Sequence, residues 1–175
     1  RALGVAKSEK ARRLVEALEV IKLLWKGQAI DFKGEFFELE NAKISVRPIQ
    51  KPRPPIWMAG NGDKAIMSAA RFGDAWLVNP HATLSTLIRQ VRIYRDSLKA
   101  AGKPFPDEFP IMREAYTAEN EQRAFEEVRP YLEAKYKTYT AWGQETAFSD
   151  RDPLTRPLSE LAADRFVIGS PSQCT

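Results

Sequence analysis

The sequence predicts an α/β fold: a partial (β/α)8 TIM barrel, carrying its later strands and helices, with a small β-hairpin insert. Three observations carry that expectation. Short continuous apolar runs, IWMA at 56–59 and AWLV at 75–78, have the length and composition of strands covered on both faces. Amphipathic helical stretches separate them, and such alternation implies parallel βαβ units. Three clear parallel strands make a poor closed architecture, leaving a small open sheet or the second part of a barrel that needs eight strands and about 250 residues. The abrupt look of both ends, with Arg1 rather than Met at the start, favours the barrel. Residues 1–175 then read as one domain of an incomplete chain.

The elements follow in order. Ser8 is placed to cap a helix running to about Trp25, with Leu14, Leu18, Ile21 and Trp25 at i, i+4, i+7 and i+11 as one buried stripe and Gly27 to end it. AIDFKGEFFELE, with Lys33-Gly34 between two alternating segments, reads as a hairpin. The connector RPIQKPRPP leads into the first parallel strand, Ile56–Ala59. A helix from Lys64 to Phe72, closed by Gly73, precedes the second strand, Ala75–Val78. Leu84, Leu87, Val91, Tyr94 and Leu98 share one face of the next helix, which Gly102 ends. PIMREAYT (110–117) supplies the third strand. Residues 119–142 are helical, with Pro130 expected to break or kink the run by starting a second helix. A loop over 143–157 and a short helix near 158–164 lead to RFVIGSPSQCT. There Ser170 and Pro171 resemble an N-cap and first helical position, for a helix that the end at Thr175 leaves out.

Composition narrows the function classes. At 43% hydrophobic and 29% charged, the chain matches an ordinary globular protein, and no apolar stretch approaches the roughly 18 residues of a membrane span. No signal-peptide pattern opens the chain. The net charge of +4 is spread over interspersed signs, without the clustered Lys and Arg of a nucleic-acid binder. Cys174 is the only cysteine, which excludes an internal disulfide and fits a reducing cytoplasm. One histidine and one cysteine far apart argue against a zinc site.

Ligands of parallel α/β folds bind beyond the carboxyl ends of the strands. Three stretches lie there. Ala59-Gly60-Asn61-Gly62-Asp63 opens a helix, its glycines let a ligand approach, and Lys64 in the first turn can reach a phosphate. The same loop also reads as a plain turn with Asp63 capping the helix. Asn79-Pro80-His81 follows the second strand. His81 is either an acid, base or hydrogen-bond donor, or a loop histidine near a helix start. Arg113, in an apolar strand, either pairs with Glu114 or another acid or projects to the barrel mouth to hold an anion. Tyr131, Tyr136, Tyr139 and Trp142 read as packing.

Beyond spacing, several stretches in one order resemble the bacterial-luciferase-like family of flavin-dependent oxidoreductases. These are the helix ending in LLWKG, the glycine-bearing hairpin, the PIQKPRPPIW connector, the AARFGDAW join, and VRIYRDSLKAAGK with FVIGSPSQ. The resemblance implies FMN, or in some branches the deazaflavin F420, bound at the carboxyl end of the barrel. It assigns Ala59, Gly60, Asn61, Gly62, Lys64 and Asn79 to cofactor binding and His81 and Arg113 to catalysis. Earlier strands would supply much of the isoalloxazine pocket. The implied chemistry is O2 activation by reduced flavin with oxidation of a small organic substrate, or hydride transfer in the F420 branch. The alternatives are a non-catalytic flavin-binding relative and an unrelated barrel enzyme handling a phosphorylated metabolite. Expected partners are the flavin, a small organic substrate, a flavin reductase drawing on NAD(P)H, and a second copy of the chain.

Overall fold

The computed structural model describes residues 4–144 and 154–175, in two compact units, Arg1–Pro55 and Ile56–Thr175. The first holds α1 (Lys10–Leu24) and the antiparallel hairpin of β1 (Ile30–Lys33) and β2 (Glu38–Ala42). Lys33 pairs with Glu38, so the turn expected at Lys33-Gly34 is a four-residue loop, 34–37. Glu9 occupies the N-cap without a side-chain bond, and Ser8 does not cap. The stripe on α1 is only half realised. Leu14 and Ile21 are exposed at 50% and 37%, while Val20, off the stripe, is the buried residue.

What ties α1 to the hairpin is a carboxylate. Glu16 accepts the backbone N–H groups of Glu35, Phe36 and Phe37 at 3.0, 2.8 and 2.8 Å. A Cβ at Gly34 would run into its Oε1, so a larger residue there would push the carboxylate aside. Desolvation works to raise the Glu16 pKa, but the three amides and Arg13 outweigh it and hold it below 4.5.

The second unit carries β3 (Trp57–Ala59), α2 (Asp63–Phe72), β4 (Ala75–Leu77), α3 (Leu84–Ala100), β5 (Glu114–Thr117), α4 (Glu121–Ala141), α5 (Leu158–Ala162), β6 (Phe166–Gly169) and α6 (Pro171–Cys174). β3 pairs with β4 and β5 with β6, all parallel, and a parallel bridge from Val78 to Ile111 joins the two pairs. The result is four strands in sequence order with helical crossovers, the pattern of part of a (β/α)8 barrel; no barrel closes among the described residues. FVIG thus adds a fourth parallel strand to the three that the sequence shows clearly.

Two apolar clusters form behind the sheet. Ile66, Ala69 and Ala70 of α2 and Leu87, Tyr94 and Leu98 of α3 pack on Trp76 and Val78. Leu132 and Tyr136 of α4 and Leu158 and Leu161 of α5 receive Phe166 and Ile168 of β6. The helices cover this face alone. Trp57 and Val167, pointing the other way, are 47% and 38% exposed, so β3 is not covered on both faces as its apolar run suggests. In a (β/α)8 barrel that second face lines the interior.

Ends and joins are individually accounted for. Asp74 accepts the Ile56 N–H at 2.7 Å, fixing the entry to β3. Thr83 caps α3. Gly102, at φ +66°, closes it with Gly102 N–H on the Lys99 carbonyl and Lys103 N–H on that of Leu98. The Lys103 ammonium then donates to the Ala70, Arg71 and Gly73 carbonyls at 3.0, 2.8 and 2.9 Å, capping the C-terminus of α2. Leu84, expected on the buried face of α3, is 54% exposed. Pro130 lies inside a continuous α4 and starts no second helix. The carbonyl it deprives of a donor belongs to Glu126, on an exposed stretch where water can replace the bond. Ser170 and Pro171 do open a helix, the single turn of α6, with a capping box to Gln173. Most of the expected 143–157 loop lies outside the described residues.

Replacing Glu16 with Gln removes the ionised acceptor, and faster amide exchange at Glu35, Phe36 and Phe37 is the expected result. In the parent protein the bond's contribution is present above pH 4.5 and lost as pH falls through the lowered pKa of Glu16. Unchanged exchange in Glu16→Gln, or protection independent of pH across that window, contradicts the assignment.

A candidate anion-binding site at the start of helix α2

The loop between β3 and α2 is shaped by where its carbonyls go. The Gly60 carbonyl accepts the Trp76 indole N–H at 3.0 Å, and that of Asn61 accepts the side-chain amide of Gln90 at 2.6 Å. Both donors are almost wholly buried, at 1% exposure each. Trp76 is itself fixed by Tyr94 and Phe109, ring centroids 5.7 and 5.9 Å away. The acceptors therefore turn into the protein. Gly62 is the N-cap of α2, so the N–H groups that open the helix have no partner within it and carry the positive end of its dipole.

Asp63 does not cap, contrary to the plain-turn reading. It is the first helical residue, and both its carboxylate oxygens accept from Arg89 Nη1 of α3 at 3.0 Å. At about one-third exposure this pair contributes only about 0.2–1 kcal/mol, but it neutralises the carboxylate that lines the loop's concavity. Lys64, exposed in the first turn, adds a positive charge with no ion pair among the described residues. Gly60 has a different reason from ligand approach. A Cβ there would lie 2.7 Å from that of Ala65, so the glycine lets the first turn of α2 fold back onto the loop.

Asn79 joins from the end of β4. Its Nδ2 donates to Asn61 Oδ1 at 2.5 Å, and Asn61 Nδ2 reaches Gln144 Oε1 at 3.5 Å. Ala59, Gly60, Asn61, Gly62, Asp63, Lys64, Ala65 and Asn79 together line an open concavity of about 660 Å³. All six residues expected to bind a cofactor thus meet in one place. The donor set is that of an anion site: helix N–H groups, an ammonium and side-chain amides, with nearby carbonyls and carboxylate otherwise engaged.

The two residues expected in catalysis lie elsewhere. His81 is 6% exposed, its ring 4.5 Å from that of Tyr139 and 6.2 Å from that of Tyr136, and it does not line the concavity. Burial pushes its pKa below 6.5; Glu114 opposes, while Lys135 and Arg165 add to the shift. Arg113 neither pairs with Glu114, which bonds Lys135, nor reaches the concavity. Its Nη1 donates to the Ala82 and Pro80 carbonyls at 2.6 and 3.4 Å, and burial lowers its pKa while Asp164 raises it. Tyr136 is the packing residue the sequence suggests, whereas Tyr131 and Trp142 are 76% and 69% exposed.

Sequence reasoning missed Trp76, Gln90, Arg89 and Arg165. Gln90 had a signal: three residues after Leu87 and four before Tyr94, it is a polar group on the buried face of α3. Among the described residues, no helix is long and apolar enough to cross a membrane.

The comparisons with known proteins agree on the fold. All of residues 1–175 match the family model for luciferase-like monooxygenases. An F420-dependent hydroxymycolic acid dehydrogenase of Mycobacterium tuberculosis is 36% identical over 69 residues, covering 39% of this chain and 19% of that protein. The monooxygenase RslO1 of Streptomyces bottropensis superposes with a TM-score of 0.71 at 21% identity, over 99% of this chain and 50% of its own. The oxygenating constituent of 3,6-diketocamphane monooxygenase from Pseudomonas putida, solved with FMN, gives 0.66 at 18% identity, over 91% and 49%. The chain thus spans about a fifth of that curated relative and half of those solved chains.

As the only histidine, His81 yields a single imidazole Hε1 resonance. Its titration midpoint is expected below 6.5. Between that midpoint and 6.5 the unfolded chain binds more protons, so stability rises with pH there and the rise disappears in His81→Gln. A midpoint at or above 6.5 contradicts the buried, neutral imidazole.

Proposed function

We propose a function from the premise that the match over residues 1–175 establishes: the chain belongs to the luciferase-like monooxygenase family. In this reading it is the later part of the barrel of a flavin-dependent oxidoreductase that oxidises a small organic substrate, and the concavity at the start of α2 holds the cofactor's phosphate. One observation carries it. The loop's carbonyls are drawn inward by Trp76 and Gln90, leaving the helix N–H groups, Lys64 and the Asn61–Asn79 amides around one open space. Such a donor set fits a phosphate.

The family includes flavin monooxygenases and F420-dependent enzymes, and both cofactors carry a phosphate group. Bound reduced FMN would supply electrons for activating O2; F420 would supply a hydride. The residues of this chain bind and orient. The amides of the first turn of α2 take the phosphate oxygens, Lys64 balances their charge, and the Asn79 amide keeps Asn61 from swinging into the space they occupy. FMN is the principal reading. F420 is the second, favoured by the F420-dependent relative of 36% identity. The setting proposed is cytoplasmic, with a reductase supplying the reduced flavin from NAD(P)H and with the chain as a homo-oligomer.

The test uses the full chain with four probes: FMN, riboflavin, F420 and its phosphate-free deazaflavin. The phosphorylated form of one pair should bind at least about tenfold more tightly than its partner. Asn79→Ala should weaken that form by about fivefold, the worth of about 1 kcal/mol of lost hydrogen bonding. Oxygen uptake with reduced FMN, against hydride transfer from reduced F420, separates the two chemistries; binding without either identifies a non-catalytic relative. Equal affinity for phosphorylated and phosphate-free forms contradicts the site.

A further inference from the structure

The loop after β4 is gripped from behind by two arginines that lie immediately before the next two strands. Arg113 Nη1 donates to the carbonyls of Pro80 and Ala82 at 3.4 and 2.6 Å, and Arg165 Nε donates to the carbonyl between them, that of His81, at 2.9 Å. Three consecutive carbonyls are thereby held on guanidinium groups. Arg165 is 3% exposed, and its Nη1 also bonds the Leu161 carbonyl at 3.2 Å. Asp164 stands 3.8 Å away. Burying a guanidinium is costly unless its donors are engaged, and two close together also repel each other. The arrangement holds because the backbone of 80–82 turns its oxygens toward them.

That orientation has a consequence one residue earlier. Asn79 directly precedes the gripped carbonyls, and its side chain makes the 2.5 Å bond to Asn61 at the rim of the concavity. Pro80 between them fixes its own φ, so little slack separates the held backbone from the Asn79 amide. We propose that Arg165 is a positioning residue for the anion site. Acting with Arg113 through the backbone of Pro80–Ala82, it sets Asn79 against Asn61 without touching the ligand. The pair is split between the residues just before β5 and β6, so two neighbouring strands hold the loop that follows β4. This inference rests on the proposed phosphate site.

Arg165→Gln and Arg165→Lys test it in the full chain; the lysine variant keeps the cation but cannot offer the guanidinium's planar set of donors. The readout is the affinity ratio of whichever phosphorylated cofactor the parent protein binds, FMN or F420, to its phosphate-free counterpart. Arg165→Gln should lose about tenfold in that ratio, through the phosphorylated form alone, and Arg165→Lys should lose less, in the same form. The His81 Hε1 resonance should shift in parallel. A parental ratio in a folded variant overturns the inference, as does equal weakening of both forms. Failure of both variants to fold reduces Arg165 to a core residue and also overturns it. A parent protein that does not discriminate between the two forms removes the phosphate site itself, an outcome distinct from these.

Discussion

Everything proposed for this protein depends on two hydrogen bonds that draw carbonyls the wrong way for a simple turn. The Trp76 indole takes that of Gly60, and the Gln90 amide takes that of Asn61. Both donors are buried, and leaving either without an acceptor would cost about 1–3 kcal/mol. The loop therefore cannot rotate its oxygens outward without stranding a donor in the core. With the acceptors committed inward, the face it shows to the concavity is made of donors. The apolar cluster around Trp76, Tyr94 and Phe109 thus determines the polarity of a surface it does not itself form.

Charge is managed by similar economy. Asp63 at the first position of α2 would repel an anion, yet Arg89 holds it on both oxygens, leaving Lys64, among the described residues, as the net charge beside the helix N-terminus. On the other side of β4, Arg113 and Arg165 are spent on backbone carbonyls rather than on a ligand. The cations that look available in the sequence are largely structural, and the site relies on amides. Amides held by a rigid core need no reorganisation when an anion arrives, which favours orientation over raw attraction.

Much of this was legible from the residues because it is local. The run of strand, glycine loop and helix at 56–72 needs only neighbouring residues to specify it, and the hairpin at 30–42 likewise. The placing of Gly60, Asn61, Gly62, Lys64 and Asn79 at strand ends follows from the same alternation. What was not legible acts over distance. Gln90 lies 29 residues from its acceptor and Arg165 lies 84 from His81, and no periodicity in the chain announces such partners. Arg113 illustrates the difference: its awkward position in an apolar strand was visible, but not the carbonyls that satisfy it. Trp57 and Leu14 failed for another reason. An apolar pattern reports what a face could bury, whereas the neighbours present determine what it does bury.

The central claim, that the start of α2 binds the phosphate of a cofactor, is tested most directly by amide NMR of the labelled chain. FMN, or F420 if that is the cofactor bound, should displace the resonances of Gly62, Asp63 and Lys64 and the side-chain amides of Asn61 and Asn79. The phosphate-free counterpart should leave them in place. The same displacements with both forms, or none at these five residues while the cofactor binds, would contradict the account.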